Sequence, residues 1–240
     1  MTTTPKMMRA AAFLFALLLV NLSVGQAVAQ TTRYVVTSQT YNGVDNSMAT
    51  PCELAPCPSF TTSMKIQGSI TFAAPLAPNL SVADIPASQI VAYHFEDGVT
   101  TYDKSDPRSR IFVVKMSTDG AGAVTNFDIR FNRWNVAPGT GDVTGRLGYF
   151  EARPAAVSAL ANMQCMGAPS TSTSSGETDT CSSVNFGADT VVSQNIGGVV
   201  TFVLAPAPPV PTLSEWAMIL LGLTLAGAAA VVIQRRRMTA

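Results

Sequence analysis

Through the middle of this chain of 240 residues, apolar and polar side chains alternate one for one in short runs, each ended by glycine, proline or aspartate. Successive side chains of an extended strand point to opposite faces, so this period sets one face of each run against a core and the other toward water. A helix needs apolar residues three and four apart and cannot use the pattern. Met64, Ile66, Gly68, Ile70 and Phe72 share one face of one run, and Phe127, Ile129 and Phe131 oppose Asp128, Arg130 and Asn132 in another. Residues 34–41, 90–95, 111–117, 145–152, 190–194 and 199–204 are further strand candidates. Many short strands with hardly a helical window predict an all-β domain, a two-sheet β-sandwich of jelly-roll-like form, with an open barrel as the alternative. Asp97-Gly98 and Asp119-Gly120 fall between candidates and are expected to make hairpin turns.

Both ends of the chain follow other rules. Lys6 and Arg9 precede an apolar stretch over 10–20, and Ala27-Val28-Ala29 stands before Gln30 as a small-x-small cleavage site. That order is a Sec signal peptide over 1–29, which implies the Sec translocon and signal peptidase as partners and a mature protein beginning at Gln30. The exported β-sandwich domain is then 30–204, long enough for one sizeable core. Residues 205–209, Ala-Pro-Ala-Pro-Pro, form an extended and semi-rigid spacer. Beyond it, residues 217–233 carry no charge and are followed by Arg235, Arg236 and Arg237. Seventeen residues make about 25 Å of helix, the short end of the spanning range, and the arginines act as a membrane stop on the cytoplasmic side.

The tail's residues resemble a known family. Pro211-Thr212-Leu213 followed by Trp216, an apolar helix and an arginine cluster is similar to the IPTL-CTERM sorting domain of Gram-negative bacteria, a relative in design of the PEP-CTERM signals. Val210 stands where isoleucine is usual, and Ala217 where glycine usually follows the tryptophan. The resemblance covers about 210–237 and concerns routing alone. It implies recognition by an exosortase-like membrane protease acting near 211–216, with Val210, Pro211, Thr212, Leu213 and Trp216 as the sorting motif.

Charge and cysteine content narrow the role of the exported part. Of 15 basic residues five lie in the two ends, against one acid (Glu215) of 15, which leaves 10 basic and 14 acidic residues over 30–209. A mildly acidic domain has no basic stripe to neutralise phosphates, so nucleic acid is excluded as a partner. Four cysteines in an oxidising compartment predict disulfides, and short separations favour Cys52–Cys57 and Cys165–Cys181. The second pair brackets residues 169–183, nearly all Ser, Thr, Gly and acids, which are expected to form a solvated loop.

Little in the domain points to catalysis. His94 is the only histidine, which excludes the His-Glu-x-x-His zinc site, and neither Gly-x-Ser-x-Gly nor a glycine-rich phosphate loop occurs. A Ser-His-Asp triad through His94 is the remaining catalytic option, set against a structural histidine. Glu96, Asp97, Asp103 and Asp106 are oxygen ligands of the type calcium takes, but their spacing is not that of an EF-hand, and they read as hairpin and surface acids. Trp134, Tyr93, Tyr102, Tyr149 and Phe150 are the aromatics a sugar-binding face would use, or else core. The expectation is a non-catalytic envelope or extracellular-matrix protein with no cofactor or metal. The alternative is a carbohydrate-binding module or glycan-active enzyme, with envelope polysaccharide as partner.

Overall fold

The computed structural model describes residues 31–47, 57–136, 138–139, 145–187, 189–206 and 213–238. The signal peptide with its Ala29–Gln30 cleavage site, Cys52, and the motif residues Val210, Pro211 and Thr212 therefore lie outside the described residues. The chain divides into two compact units, residues 1–204 and 205–240.

The first unit contains thirteen described strands in two antiparallel sheets. They are β1 (Thr32–Ser38), β2 (Gly43–Asp45), β3 (Gln67–Phe72), β4 (Ala83–Asp84), β5 (Ile90–Glu96), β6 (Thr101–Asp103) and β7 (Ser109–Thr118), then β8 (Val124–Trp134), β9 (Arg146–Arg153), β10 (Ala156–Cys165), β11 (Val184–Asn185), β12 (Val191–Ile196) and β13 (Val200–Leu204). One sheet has the order β13-β1-β3-β5-β6; the larger runs β2-β12-β10-β9-β8-β7-β4, with β11 paired to β10. The first strands switch sheets at nearly every connection. From β7 to β10 the chain instead meanders, each strand beside its predecessor. That meander corrects the jelly-roll expectation, since a jelly roll is built from two Greek keys.

Aromatic rings hold the sheets together. Phe131 of β8 lies 4.7 Å from Tyr93 and 5.1 Å from Phe95 of the facing sheet, and stacks on Phe150 of β9 at 5.1 Å. Tyr102 meets Phe150 edge-on at 4.8 Å. Burying such rings is worth roughly 1.5–3 kcal/mol each, and their offset and edge-on geometry adds to it. The sequence pattern that singled out Phe127, Ile129 and Phe131 is the inner face of β8, all buried.

A second, smaller core lies on the outer face of the large sheet. Trp134, Leu147, Leu160 and Met163 are buried there with the Cys165–Cys181 disulfide. The cover is the segment expected to be a solvated loop, and this expectation is overturned: Ser172, Ser175 and Thr180 are buried. The cause is a β-bulge in β7, where Ile111 faces Phe131 but Val113 faces Arg130, leaving Phe112 as an extra residue. A bulge interrupts the ladder, so its carbonyls need other donors. The Ser175 hydroxyl donates to the carbonyl of Ile111 and the Ser172 hydroxyl to that of Phe112, both at 2.5 Å. Trp134 Nε1 donates to the carbonyl of Asp179 at 2.8 Å. Serine composition marks this loop as polar, yet its hydroxyls are the bulge's missing partners.

Cys165 and Cys181 are 16 residues apart and close that loop. Replacing both by alanine is expected to destabilise the domain by about 3 kcal/mol through loop entropy in the unfolded chain. Urea denaturation of parent and variant checks it. An unchanged midpoint would mean that the serine contacts alone secure the loop.

The second unit contains one described helix, α1 (Leu213–Met238). Its 26 residues make about 39 Å at 1.5 Å per residue.

Candidate functional site

The lone histidine of the chain sits on the β5–β6 pair. His94 lies exposed on β5, directly opposite Asp103 of β6 in the antiparallel register. Its Nδ1 is 2.9 Å from Asp103 and its Nε2 is 3.4 Å from Glu96. Both ring nitrogens therefore face carboxylates. A Ser-His-Asp triad needs one of them turned to a hydroxyl, so this geometry assembles a charge cluster in its place. The hydrogen bond to Asp103 raises the imidazole's pKa. The Ser105 hydroxyl and amide, donating to Asp103, hold that carboxyl down at about 2.

The four acids considered as calcium ligands divide among three different settings. Glu96 and Asp103 flank His94, whereas Asp106 binds Arg108 at 3.2 Å and Arg133 at 2.9 Å. Asp97 is wholly buried, which corrects its reading as a surface acid. Its Oδ1 accepts the amides of Val99 and Thr100 at 2.8 and 2.6 Å, and Oδ2 accepts the Tyr102 hydroxyl at 2.9 Å. The Tyr41 hydroxyl donates to its backbone carbonyl at 2.8 Å. Gly98 follows at φ +99, a conformation that glycine adopts without steric cost, and closes the hairpin. Burial pushes the Asp97 carboxyl up to about 6, outweighing those hydrogen bonds. In the other expected turn, Asp119 Oδ1 accepts the amides of Ala121 and Ala123, and the positive φ falls on Gly122 at +82, not on Gly120. Among the described residues no group of three or more His, Cys, Asp or Glu side chains is placed to hold a metal ion.

The aromatics of the sugar-binding alternative belong to the interior. Tyr93, Tyr102, Trp134 and Phe150 are buried, and Tyr149 is half-buried with its hydroxyl on Glu151 at 3.0 Å. They fill the two cores; Tyr93 alone of the five also borders an open surface groove, beside Ser69, His94 and Lys104.

Cys57 is disulfide-bonded; its expected partner Cys52 is not among the described residues.

In the tail, Leu213 opens α1 and Trp216 stands one turn in, 54% exposed. Met218, Ile219, Leu220, Leu221, Leu223, Leu225 and Ile233 are each at least half exposed. These side chains are consecutive or nearly so, hence they point to every side of the helix, and α1 has no polar face along this stretch. The helix backbone continues through Arg235, Arg236 and Arg237, whose side chains are not described. Cationic residues in a last turn complement the partial negative charge of a helix C-terminus. Among the described residues no helix is long and apolar enough to cross a membrane.

No curated protein and no solved structure matches the chain. Residues 208–237 match the family model of the IPTL-CTERM motif, so the chain ends in the sorting motif that Pro211, Thr212, Leu213, Trp216 and the arginine cluster resemble.

Proposed function

We propose that this chain is a non-catalytic protein of the cell envelope or extracellular matrix of a Gram-negative bacterium, exported by the Sec route and sorted by its C-terminal tail. The match over residues 208–237 carries the reading. An exosortase-like membrane protease would recognise Pro211, Thr212, Leu213 and Trp216, cut near 211–216, and release or transfer the β-sandwich. Apolar side chains on every side of α1 support a lipid environment for 217–233, because leaving several Leu and Ile in water forfeits roughly 1.5–3 kcal/mol each. A run this short is accommodated by local thinning of the bilayer. The non-catalytic assignment is supported by His94, committed on both nitrogens to carboxylates, and by the burial of the aromatics a sugar platform would need.

Cell fractionation with intact-mass measurement tests the proposal. The expected form outside the inner membrane begins at Gln30 and lacks the 217–233 helix. An exported form still carrying that helix, found only in the inner membrane, would replace sorting by simple anchoring.

A further inference from the structure

We propose that the outer face of the five-stranded sheet carries a binding groove for a chain of acidic sugars, held at its two ends by Arg33 and Lys104.

The strand register lays this groove across the sheet. Arg33 of β1, Thr71 of β3 and Ala92 of β5 stand side by side in one row, and Ser69 of β3, His94 of β5 and Asp103 of β6 in the next. Lys104 and Ser105 follow directly after β6. These side chains line an open groove of about 570 Å³. From β1 to β6 there are three steps between neighbouring strands, a span of about 14 Å.

Charge singles the groove out. Residues 30–209 hold 10 basic and 14 acidic residues, so carboxylates are in excess. Every basic side chain from Arg108 to Arg153 meets one within 3.8 Å. Arg33, Lys65 and Lys104 are the basic residues of the domain that meet none among the described residues, and two of these three line this one groove. Arg33 donates to the Ser69 hydroxyl at 3.1 Å, which steadies the guanidinium and leaves its other donors to solvent. The Lys104 ammonium stands 5.9 Å from the centre of the Tyr93 ring, within reach of a cation–π contact. The groove's own carboxylate is already taken: Asp103 faces His94 Nδ1 at 2.9 Å and accepts the amide and hydroxyl of Ser105 at 2.8 and 2.6 Å.

This arrangement selects the occupant. Cations at opposite ends of a groove suit a ligand whose negative charges repeat along a chain, and not one small anion. Between them Ser69, Thr71 and Ser105 offer hydroxyls to pair with those of a sugar, and Val91 and Ala92 offer a small apolar surface to its C–H groups. An acidic peptide would seek a sheet edge for its main chain. The strands of the floor, β1, β3 and β5, are each paired on both sides, so their ladders are closed to it. Because the Tyr93 ring is buried, no stacking platform is needed or offered, and binding rests on charge-assisted hydrogen bonds. The inference relies on the envelope reading only for where such a glycan is met.

Isothermal titration calorimetry of the purified exported protein tests it, with oligomers of galacturonate and of mannuronate as probes. The parent is expected to bind at least one of them, more weakly as salt is raised, and to bind the methyl ester of that oligomer about tenfold more weakly or less well still. Arg33→Ala combined with Lys104→Ala should weaken binding about tenfold or more. Lys65→Ala, which removes a positive charge outside the groove, should leave binding near the parent level. Far-ultraviolet circular dichroism confirms that each variant is folded. A parent that binds neither oligomer, a methyl ester that binds as well as the acid, a Lys65→Ala loss as large as that of the double variant, or oligoglutamate bound as tightly as the sugars each overturns the proposal. All are measured on purified protein, so they stand whether or not the tail is a sorting signal.

Discussion

Asp97→Ala is expected to destabilise the folded domain by about 4 kcal/mol at neutral pH, because it strands several buried donors at once. The amides of Val99 and Thr100 and the hydroxyl of Tyr102 all end on the Asp97 carboxylate inside the protein, and alanine offers them nothing. Equilibrium urea unfolding of the exported protein measures the loss. A change under 1 kcal/mol, on the order of one ordinary hydrogen bond, would mean that water enters the site and serves those donors. The same residue predicts a pH dependence with a definite sign. Folding raises the carboxyl from its ordinary value of 3.8 to about 6, so between these values the folded state holds a proton that the unfolded chain has released. The contribution of Asp97 is therefore most favourable below 3.8 and declines by about 3 kcal/mol as pH rises through 6. Tyr41 and Tyr102, the titratable groups nearest to it, are themselves raised by burial and stay neutral over this range. Asp97→Asn removes the titration, and its stability should vary less with pH than that of the parent over this interval.

Asp97 also shows where sequence reading ends. Asp-Gly located the hairpin between β5 and β6 because turn chemistry is local: glycine tolerates positive φ and aspartate caps the following amides. Whether that aspartate faces water depends on Tyr41, 56 residues earlier in the chain, and on packing between two sheets. No local signal reports that. The long strands of alternating pattern, β3, β5, β7, β8 and β9, were legible for the same reason the turn was, since period two needs only neighbours. β10 was missed. Its sequence, Ala156-Val-Ser-Ala-Leu-Ala-Asn-Met-Gln-Cys165, is rich in helix formers, yet it lies between β9 and β12 with Ala159 and Ala161 turned to the main core and Leu160 and Met163 to the second. Tertiary context overrides propensity there, as it can whenever a strand is paired on both sides. The serine-rich loop failed in the opposite way. Its polarity was read correctly, but the acceptors that bury Ser172 and Ser175 belong to a bulge some 60 residues away.

The tail was legible because a sorting signal must be read as a short linear segment, and its parts can be separated by mutation. Trp216→Ala or Pro211→Ala should stop maturation almost completely while leaving insertion intact, since neither change touches the charge-free run 217–233 or the arginines after it. Trp216 is more than half exposed one turn into α1. On the proposed topology, replacing Arg235, Arg236 and Arg237 together by neutral residues should act on orientation, because the positive-inside bias that would hold the C-terminus in the cytoplasm is removed. Gel analysis of fractionated cells separates the two defects: full-length precursor retained in the inner membrane for the motif variants, and misoriented or fully translocated protein for the arginine variant. In a host that processes tails of this kind, motif variants that mature like the parent would leave α1 as an anchor and nothing more. Blocked motif variants with correct topology would instead assign recognition to the motif and orientation to the arginines, two functions that a plain anchor has no reason to keep apart.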